Sequence, residues 1–333
     1  MINKVSIIGS GAWATALANV LSDNSISSLL FSNNVNKVDE INNLHSNKSV
    51  MDFKLSTLIS ATNNMNDIIS YSDVILLCVK SDSLLDYLKE LKKYLNNKKI
   101  KFINCIKGFI GENNLTVSDA INSVFNKENI EYIVSLLGPS FATEVIKKDL
   151  TCVCAVSNKI TAAIEVQKLF SNNYFRVYTS DDIVGSQIAS SYKNAIAIGS
   201  GIIQGLNYGK NAEAAIVTRG LNEIIKFGLF NGGKINTFLG LTGIGDLLLT
   251  CSSKLSRNYC FGIEVAKSSD INALIKNNKK TIEGLRTIKV IHDFSKINNL
   301  DTPIIDALYN VLYLNKNIND EINSLMLRPL KSE

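Results

Sequence analysis

Lys193 is the only charged residue in the segment 183–209, which otherwise holds apolar, small and uncharged polar side chains. A step of four residues along the helix predicted here meets only small side chains on either side of it, at Gly185, Ala189, Ala197 and Gly201. These small residues leave room for a ligand beside the ammonium. A buried lysine with a lowered pKa can exchange a proton near neutral pH. We therefore predict a proton-transfer role for Lys193; the alternatives are a lysine that reaches solvent and one paired with a structural carboxylate.

Asp246 is a second candidate, because it follows the closely spaced glycines of the segment 240–245 and precedes an apolar stretch. Its carboxylate could orient the Lys193 ammonium, although close-set glycines also occur where two helices cross tightly. Further along, an arginine stands between two hydrogen-bonding side chains in the triplet Ser256, Arg257 and Asn258. A planar guanidinium suits two-point recognition of a phosphate, whereas a helix cap with an exposed arginine is the structural alternative.

The nucleotide-binding candidate is the turn Gly9-Ser10-Gly11-Ala12-Trp13-Ala14, which joins the first predicted strand to the first predicted helix. In a βαβ unit, such glycines allow a tight turn and the close approach of a pyrophosphate, which binds free amides at the helix start. Ala14 replaces the third glycine of this fingerprint, and the pattern alone is a weak signal. Together with Lys193, Asp246 and Arg257, it predicts hydride transfer from NADH or NADPH to a small phosphorylated carbonyl compound.

The elements that must position these residues fall into two groups. Apolar strands and helices alternate in the first half, with strands predicted at residues 4–8, 28–31, 73–79, 101–106, 132–137, 151–156 and 175–178. Helical periodicity dominates after Asp181. The pattern predicts an α/β protein with an N-terminal Rossmann-type, doubly wound, mostly parallel sheet and a C-terminal all-helical domain. We expect a dinucleotide-binding domain over residues 1–180 and a helical substrate-binding domain over residues 181–330.

Composition narrows the function classes. The 333 residues carry a formal net charge of +5 and are 46% hydrophobic, which is ordinary for a globular enzyme. The basic run 89–101 lacks interleaved aromatic residues, so we expect no nucleic-acid partner. No uninterrupted apolar segment approaches the ~20 residues of a membrane-spanning helix, and no signal peptide is evident, so we expect a cytoplasmic protein. Six cysteines without a Cys-x-x-Cys pair, and only two histidines, indicate reduced thiols and no metal site.

The chain resembles the bacterial-type NAD(P)-dependent glycerol-3-phosphate dehydrogenases. The resemblance covers nearly the whole chain, and its motifs keep the family's order. They include the glycine turn, Ile106-Lys107-Gly108, Leu137-Gly138-Pro139-Ser140-Phe141-Ala142, Phe175-Arg176-Val177-Tyr178, Lys193-Asn194-Ala195, Thr218-Arg219-Gly220, Gly243-Ile244-Gly245-Asp246, Ser256-Arg257-Asn258 and Glu283-Gly284. The resemblance implies reversible reduction of dihydroxyacetone phosphate to sn-glycerol 3-phosphate, which supplies phospholipid synthesis. Helical substrate domains of this kind often pair, so a homodimer is an open alternative to a monomer.

The resemblance also assigns roles by position. It implies that Lys193 transfers the proton, assisted by Lys107 and oriented by Asp246. The implied substrate contacts are Lys107, Gly138, Ser140, Lys193, Asp246, Ser256, Arg257 and Asn258. The residues expected to contact the cofactor, NAD or NADP, are Gly9, Gly11, Ala12, Trp13, Asn33, Lys107, Ala142, Arg257, Thr281 and Glu283.

Two departures from the family pattern and two rival functions bear on this hypothesis. Ala14 stands where the family usually has glycine, and Asn33 follows the second strand where a basic residue or histidine is common. The second departure predicts that both NADH and NADPH are used. A 2-hydroxy acid or hydroxyacyl dehydrogenase would need a catalytic histidine, yet His45 and His292 lie away from every motif. A dinucleotide sensor without catalysis would need the glycine turn but not Lys193.

Overall fold

The computed structural model describes residues 2–50, 53–96, 98–111, 115–278, 281–330 and 332. The chain divides into two compact units, Met1–Ile183 and Val184–Glu333. This division falls after Ile183, close to the boundary expected near residue 180.

The first unit holds an eight-stranded sheet with the strand order β3-β2-β1-β4-β5-β6-β7-β8. The strands are β1 (Lys4–Ile8), β2 (Ser27–Phe31), β3 (Ile59–Thr62), β4 (Val74–Leu77), β5 (Ile100–Asn104), β6 (Ile130–Leu137), β7 (Thr151–Val156) and β8 (Phe175–Ser180). All neighbouring strands pair in parallel except β6 and β7, which are antiparallel. The chain moves outward from β1 to β3 and then returns to place β4 on the other side of β1. The predicted doubly wound, mostly parallel fold is confirmed.

Helices cover both faces of this sheet. They are α1 (Ala12–Asp23), α2 (Val35–Asp39), α3 (Met65–Tyr71), α4 (Leu84–Lys92), α5 (Val117–Val124), α6 (Ala142–Ile146) and α7 (Ile160–Phe170). Short helical turns occur at Glu40–Leu44, Lys48–Val50, Ser81–Ser83 and Lys127–Asn129. Buried residues of α1, α6 and α7 form a core on one face, and those of α3, α4 and α5 form a core on the other. Burial on both faces explains why the strands are continuously apolar.

Strand β3 was not predicted, and its sequence shows why. In Ile59-Ser60-Ala61-Thr62 only alternate side chains are buried, because β3 lies at the edge of the sheet. The Asn42 side chain bonds both backbone groups of Ala61, accepting from its nitrogen at 2.8 Å and donating to its oxygen at 2.9 Å. A side-chain amide thus takes the place of a further strand at this edge, which local propensity does not reveal.

The second unit is helical. Its helices are α8 (Ile183–Gly205, which starts at the last residue of the first unit), α9 (Lys210–Phe230), α10 (Ile235–Phe238), α11 (Asp246–Ser252), α12 (Arg257–Lys267), α13 (Ile271–Asn277), α14 (Glu283–Ile297), α15 (Pro303–Tyr313) and α16 (Ile318–Met326). The segment Leu241–Gly245 forms a π-type turn before α11. Helix α8 is the central element, with its residues from Tyr192 to Ile198 almost entirely buried.

Helices α8 and α12 cross through glycines. A Cβ added to Gly201 would overlap the Tyr259 carbonyl oxygen, and one added to Gly262 would overlap the Ile198 carbonyl oxygen. Part of the small-residue row along α8 therefore serves helix packing, the role that was the alternative for the glycines before Asp246.

The stretch Ile235–Ser252 is apolar and long enough to cross a membrane by length and composition, with a mean hydropathy of 1.2. Core helices of soluble proteins often share this property. Here the stretch consists of α10, the turn and α11, with a non-helical backbone at Gly243. It also contains Asp246, which is 1% exposed and paired with Lys193. We therefore interpret it as a packed segment of the helical unit.

Candidate active site

The glycine turn lies at the carboxyl end of β1. Gly9 has a φ of 121°, and a Cβ at this position would overlap the Cys78 carbonyl oxygen that follows β4. Gly11 is the N-cap of the 12-residue helix α1, has no side-chain cap, and has open space where a Cβ would lie. The first amides of α1 are thus approachable beside the point where the strand order reverses. This is the arrangement in which doubly wound folds bind a dinucleotide pyrophosphate, so the turn fits that group.

The residues around this turn are built into the first unit. Ala14, which replaces the usual glycine, is 1% exposed and belongs to the core. Ala12, Trp13 and Ala142 pack partly buried against the same core. Asn33 follows β2, and its amide donates to the Tyr87 hydroxyl at 2.8 Å. The structure therefore places these cofactor candidates at the carboxyl edge of the sheet or beside it.

Three predicted substrate contacts come together within the first unit. The Lys107 ammonium donates to the Gly138 carbonyl oxygen at 3.2 Å, and the Ser140 hydroxyl donates to the same oxygen at 3.3 Å. Lys107 follows β5 and Gly138 follows β6, which are parallel neighbours. Gly138 has a φ of 144°, and a Cβ there would lie 3.0 Å from the Cα atom of Val153. Glycine is therefore required for the turn that presents this carbonyl to Lys107.

The second unit contains the predicted pair of Lys193 and Asp246. The Lys193 Nζ lies 2.5 Å from the Asp246 Oδ1 and 2.7 Å from the Thr250 Oγ1. The Thr250 hydroxyl in turn donates to the Asp246 backbone oxygen at 2.6 Å. The side chains of Lys193 and Asp246 are only 6% and 1% exposed. Two oxygens thus fix the direction of a buried ammonium, and the carboxylate compensates the cost of removing that charge from water.

The turn before α11 sets the position of Asp246. A Cβ added to Gly243 would overlap the backbone of Phe238, so this turn can fold against α10 only with glycine here. Asp246 then starts α11, and Thr250 follows one turn later on the same helix face. A role for Thr250 was not predicted, because its spacing of four residues from Asp246 indicates a shared helix face but not a contact with Lys193.

The triplet at residues 256–258 serves three different purposes in the structure. Ser256 is the N-cap of α12, and its hydroxyl accepts from the Tyr259 amide at 3.2 Å. The Asn258 side chain accepts from the Gly284 amide at 2.9 Å. The Arg257 Nη2 lies 2.7 Å from the Glu283 Oε1, with side chains 50% and 18% exposed. The helix-cap alternative is therefore correct for Ser256, while Arg257 forms an ion pair that was not predicted.

The start of α14 joins these residues to α8. A Cβ added to Gly284 would lie 2.5 Å from the Asn194 carbonyl oxygen, one residue after Lys193. Thr281 is half-buried in the segment that leads into this helix. The ion pair of Arg257 and Glu283 thus joins α12 and α14, which both pack closely against α8, the helix of Lys193.

A further buried carboxylate, that of Glu223, contacts α8 at the residue before Lys193. Glu223 of α9 accepts from the Tyr192 hydroxyl at 3.1 Å and from the backbone amides of Ile304 and Ile305 at 2.6 and 3.3 Å. It therefore caps α15 and contacts the residue before Lys193. Burial raises the pKa of Glu223 to about 7, although the donated hydrogen bonds act in the opposite direction.

The two histidines that a rival function would need, His45 and His292, lie in different environments. The His292 Nδ1 lies 2.8 Å from the Asp306 Oδ1, and its ring stacks on Tyr309 with centroids 3.8 Å apart. His45 ends a helical turn with a left-handed φ of 48°. Among the described residues, no group of three or more His, Cys, Asp or Glu could hold a metal ion. His292 is thus engaged by Asp306 and Tyr309.

Comparison with known proteins identifies relatives over the whole chain. Residues 4–163 match the model of the NAD-dependent glycerol-3-phosphate dehydrogenase N-terminus, and residues 182–323 match that of its C-terminus. The glycerol-3-phosphate dehydrogenase (NAD(P)+) of Limosilactobacillus reuteri is 39% identical over 336 residues, which cover 100% of this chain and 99% of the relative. The enzyme of the same name from Staphylococcus epidermidis is 38% identical, with 100% of both chains covered.

Solved structures show the same similarity. A glycerol-3-phosphate dehydrogenase from Coxiella burnetii superposes with a TM-score of 0.90 at 28% identity, covering 98% of this chain and 99% of that one. A D-mandelate dehydrogenase in complex with NADH has a TM-score of 0.60 at 18% identity, covering 93% and 98% of the two chains, and shares the fold alone.

Proposed function

This chain belongs to the NAD-dependent glycerol-3-phosphate dehydrogenase family, and on this premise we propose that it reversibly reduces dihydroxyacetone phosphate to sn-glycerol 3-phosphate. The resemblance read from its motifs is confirmed by these matches. The observation that carries the proposed mechanism is the buried Lys193 ammonium, held by Asp246 and Thr250. NADH or NADPH is the proposed cofactor.

Lys193 is the proposed proton donor and acceptor. Bound reduced nicotinamide would supply the hydride. As the substrate carbonyl is reduced, negative charge grows on its oxygen, and a fixed ammonium beside that oxygen both stabilises the charge and delivers a proton. In the reverse direction the same lysine accepts the hydroxyl proton.

Asp246 and Thr250 are proposed to orient this lysine. They bind Nζ from successive turns on one face of α11, so the ammonium does not need to reorganise during the reaction. Exclusion from water strengthens the interaction between the ammonium and a developing negative charge.

We propose that Arg257 recognises the substrate phosphate, with Ser256 and Asn258 as neighbouring contacts. The guanidinium is half-exposed and bound by Glu283 on one side, so it is both held in place and available to an anion. In the first unit, Lys107, Gly138 and Ser140 are proposed to contact substrate as well, with Lys107 assisting proton transfer. Phosphate binding would supply remote binding energy that positions the carbonyl carbon.

The cofactor contacts proposed for the first unit rest on the glycine turn. The uncapped amides of α1 would hold the pyrophosphate, because no side chain caps them and Gly11 leaves the approach open. The proposed contacts are Gly9, Gly11, Ala12, Trp13, Asn33, Lys107 and Ala142, with Arg257, Thr281 and Glu283 from the second unit. The first unit is thus the proposed dinucleotide-binding domain and the second the proposed substrate-binding domain.

We further propose a cytoplasmic enzyme that supplies glycerol 3-phosphate for phospholipid synthesis, and a homodimer. Light scattering of the purified protein measures the oligomeric state directly, and a monomeric mass would refute the dimer.

The function is tested by adding dihydroxyacetone phosphate to the purified protein with NADH or NADPH and following the nicotinamide absorbance. We expect oxidation of the cofactor that depends on substrate, with glycerol 3-phosphate as the product. Unphosphorylated dihydroxyacetone tests the role of the phosphate, and a 2-keto acid tests the rival dehydrogenase. Turnover of the 2-keto acid instead would refute the proposal, and binding of cofactor without any turnover would favour a sensor.

A further inference from the structure

The segment after β2 carries no negative charge close to the strand. Residues 32–38 contain no Asp or Glu, and the first acids are Asp39 and Glu40. Glu40 is engaged elsewhere, because its Oε1 accepts from the Ser46 hydroxyl at 3.1 Å and from the Lys48 amide at 2.9 Å. A carboxylate at the end of this strand is the usual means of excluding a 2′-phosphate from the adenosine ribose. The chain lacks that means of exclusion.

Lys37 is the cation that this segment places on the glycine turn. Its Nζ donates to the Ser10 carbonyl oxygen at 3.4 Å and to the Ser49 hydroxyl at 2.8 Å. Within the described part of the chain, no carboxylate lies within the 4.0 Å of an ion pair to this ammonium. Among the described residues, the ammonium next to Ser10 therefore has no carboxylate as an ion-pair partner.

The Ser10 carbonyl is itself held in place. The side-chain amide of the fully buried Asn47 donates to it at 3.0 Å and to the Thr15 hydroxyl at 2.8 Å. Ile8 and Phe31 are register partners in β1 and β2, so the glycine turn and the segment after β2 leave the sheet side by side. The hydrogen bond from Lys37 to the Ser10 carbonyl thus fixes the ammonium at the place where the glycine turn and the segment after β2 separate.

We propose that Lys37 binds the 2′-phosphate of NADP(H) and makes this enzyme favour NADP(H) over NAD(H). A 2′-phosphate carries close to two negative charges, which attract the Lys37 ammonium, whereas a ribose hydroxyl carries no charge. Asn33 lies nearer to the strand but is neutral, and its amide is engaged by Tyr87. This inference rests on the proposed function, because it concerns the cofactor of that reaction.

The test is the binding of adenosine 2′,5′-bisphosphate, adenosine 5′-monophosphate, NADP+ and NAD+ to the full-length protein, measured by titration calorimetry. Lys37→Gln keeps a donor for the Ser10 carbonyl but removes the charge. We expect it to weaken binding of both 2′-phosphorylated ligands about tenfold and to change the other two less than about twofold. Lys37→Arg, which keeps the charge, should stay within about threefold of wild type for all four ligands.

Lys127→Gln is the matched control, because it removes the same charge at an exposed turn before β6, at the amino end of the strands and not at the carboxyl end where the glycine turn lies. It should change none of the four affinities. Added salt should also reduce the preference of the wild-type protein for the 2′-phosphorylated ligands, and it should reduce the preference of Lys37→Gln by less. An unchanged ratio of NADP+ to NAD+ affinity in Lys37→Gln would overturn this inference alone. Failure of the wild-type protein to bind either dinucleotide would overturn the proposed function and this inference with it.

Discussion

Removing either member of the Lys193 and Asp246 pair should damage both catalysis and stability, whereas removing both should restore stability alone. Lys193→Met leaves a carboxylate that is 1% exposed without its cation, and Asp246→Leu leaves the ammonium without its anion. A buried charge without a partner is strongly unfavourable, but a pair of apolar side chains of similar volume is often tolerated in place of a buried ion pair.

The magnitude follows from the burial of both groups. At 6% and 1% side-chain exposure, the pair belongs to the buried class, for which loss of one partner costs about 3–5 kcal/mol of unfolding free energy. Independent effects would sum to about 6–10 kcal/mol in the double variant, so a smaller loss in the double variant measures the coupling. Because the proton donor is missing, kcat should fall by about 10²- to 10⁴-fold in Lys193→Met and in the double variant.

The assays are urea denaturation, steady-state kinetics with dihydroxyacetone phosphate, and calorimetric titration with the dinucleotide, which should still bind. Lys210 and Glu213 provide a control pair, since their charged atoms lie 2.6 Å apart but the Lys210 side chain is 85% exposed. Lys210→Met should leave the denaturation midpoint unchanged. Near-normal turnover in Lys193→Met would refute the proton-transfer role, and a double variant as unstable as the summed single variants would refute the coupling.

Three further predictions follow from other groups. Arg257→Lys should mainly raise KM for the phosphorylated substrate, because an ammonium cannot bind it with a planar fork, and an unchanged KM would place the phosphate elsewhere. Burial raises the pKa of Glu223 to about 7, so the folded protein holds a proton on this carboxyl group more tightly than the unfolded chain does. The stability that this proton contributes is present below the pKa of the unfolded chain and is lost as pH rises through 7. Measured in urea, the unfolding free energy of Glu223→Gln should therefore rise relative to that of wild type between about pH 5 and pH 8. A difference that does not depend on pH would contradict the raised pKa. Burial raises the pKa of the Cys251 thiol to about 12, so mass spectrometry should find it unmodified by iodoacetamide in the native state and modified in urea; rapid native labelling would show that this region opens.

The sequence predicted the parts of the site that stand out from their local surroundings. Lys193 is conspicuous as one charge in a long apolar run, and Asp246 as one carboxylate after glycines. Thr250 is not conspicuous, because a threonine in an apolar helix is usual for a packed core, and only the tertiary arrangement brings its hydroxyl to the ammonium. The ion pair of Arg257 and Glu283 was missed for the same reason, since it joins two helices that are distant in sequence.

The strands, too, were predicted where their local sequence is distinctive and missed where only tertiary contacts explain them. Continuous apolar strands such as β4 were recognisable because both faces of the sheet are covered. Strand β3 was missed because half of its side chains are polar and its outer edge is satisfied by Asn42, a contact that local sequence does not encode.

The crossing of α8 and α12 constrains how this protein can evolve. Gly201 and Gly262 bring the two backbones into direct contact, and no residue is smaller than glycine. Mutation at the crossing can therefore move the helices apart but cannot move them closer. Helix α8 carries Lys193 and α12 begins at Arg257, so the two helices that meet at this crossing also carry the proposed proton donor and the proposed phosphate ligand. A substitution at this crossing is therefore expected to change the spacing of these two residues only by separating the helices.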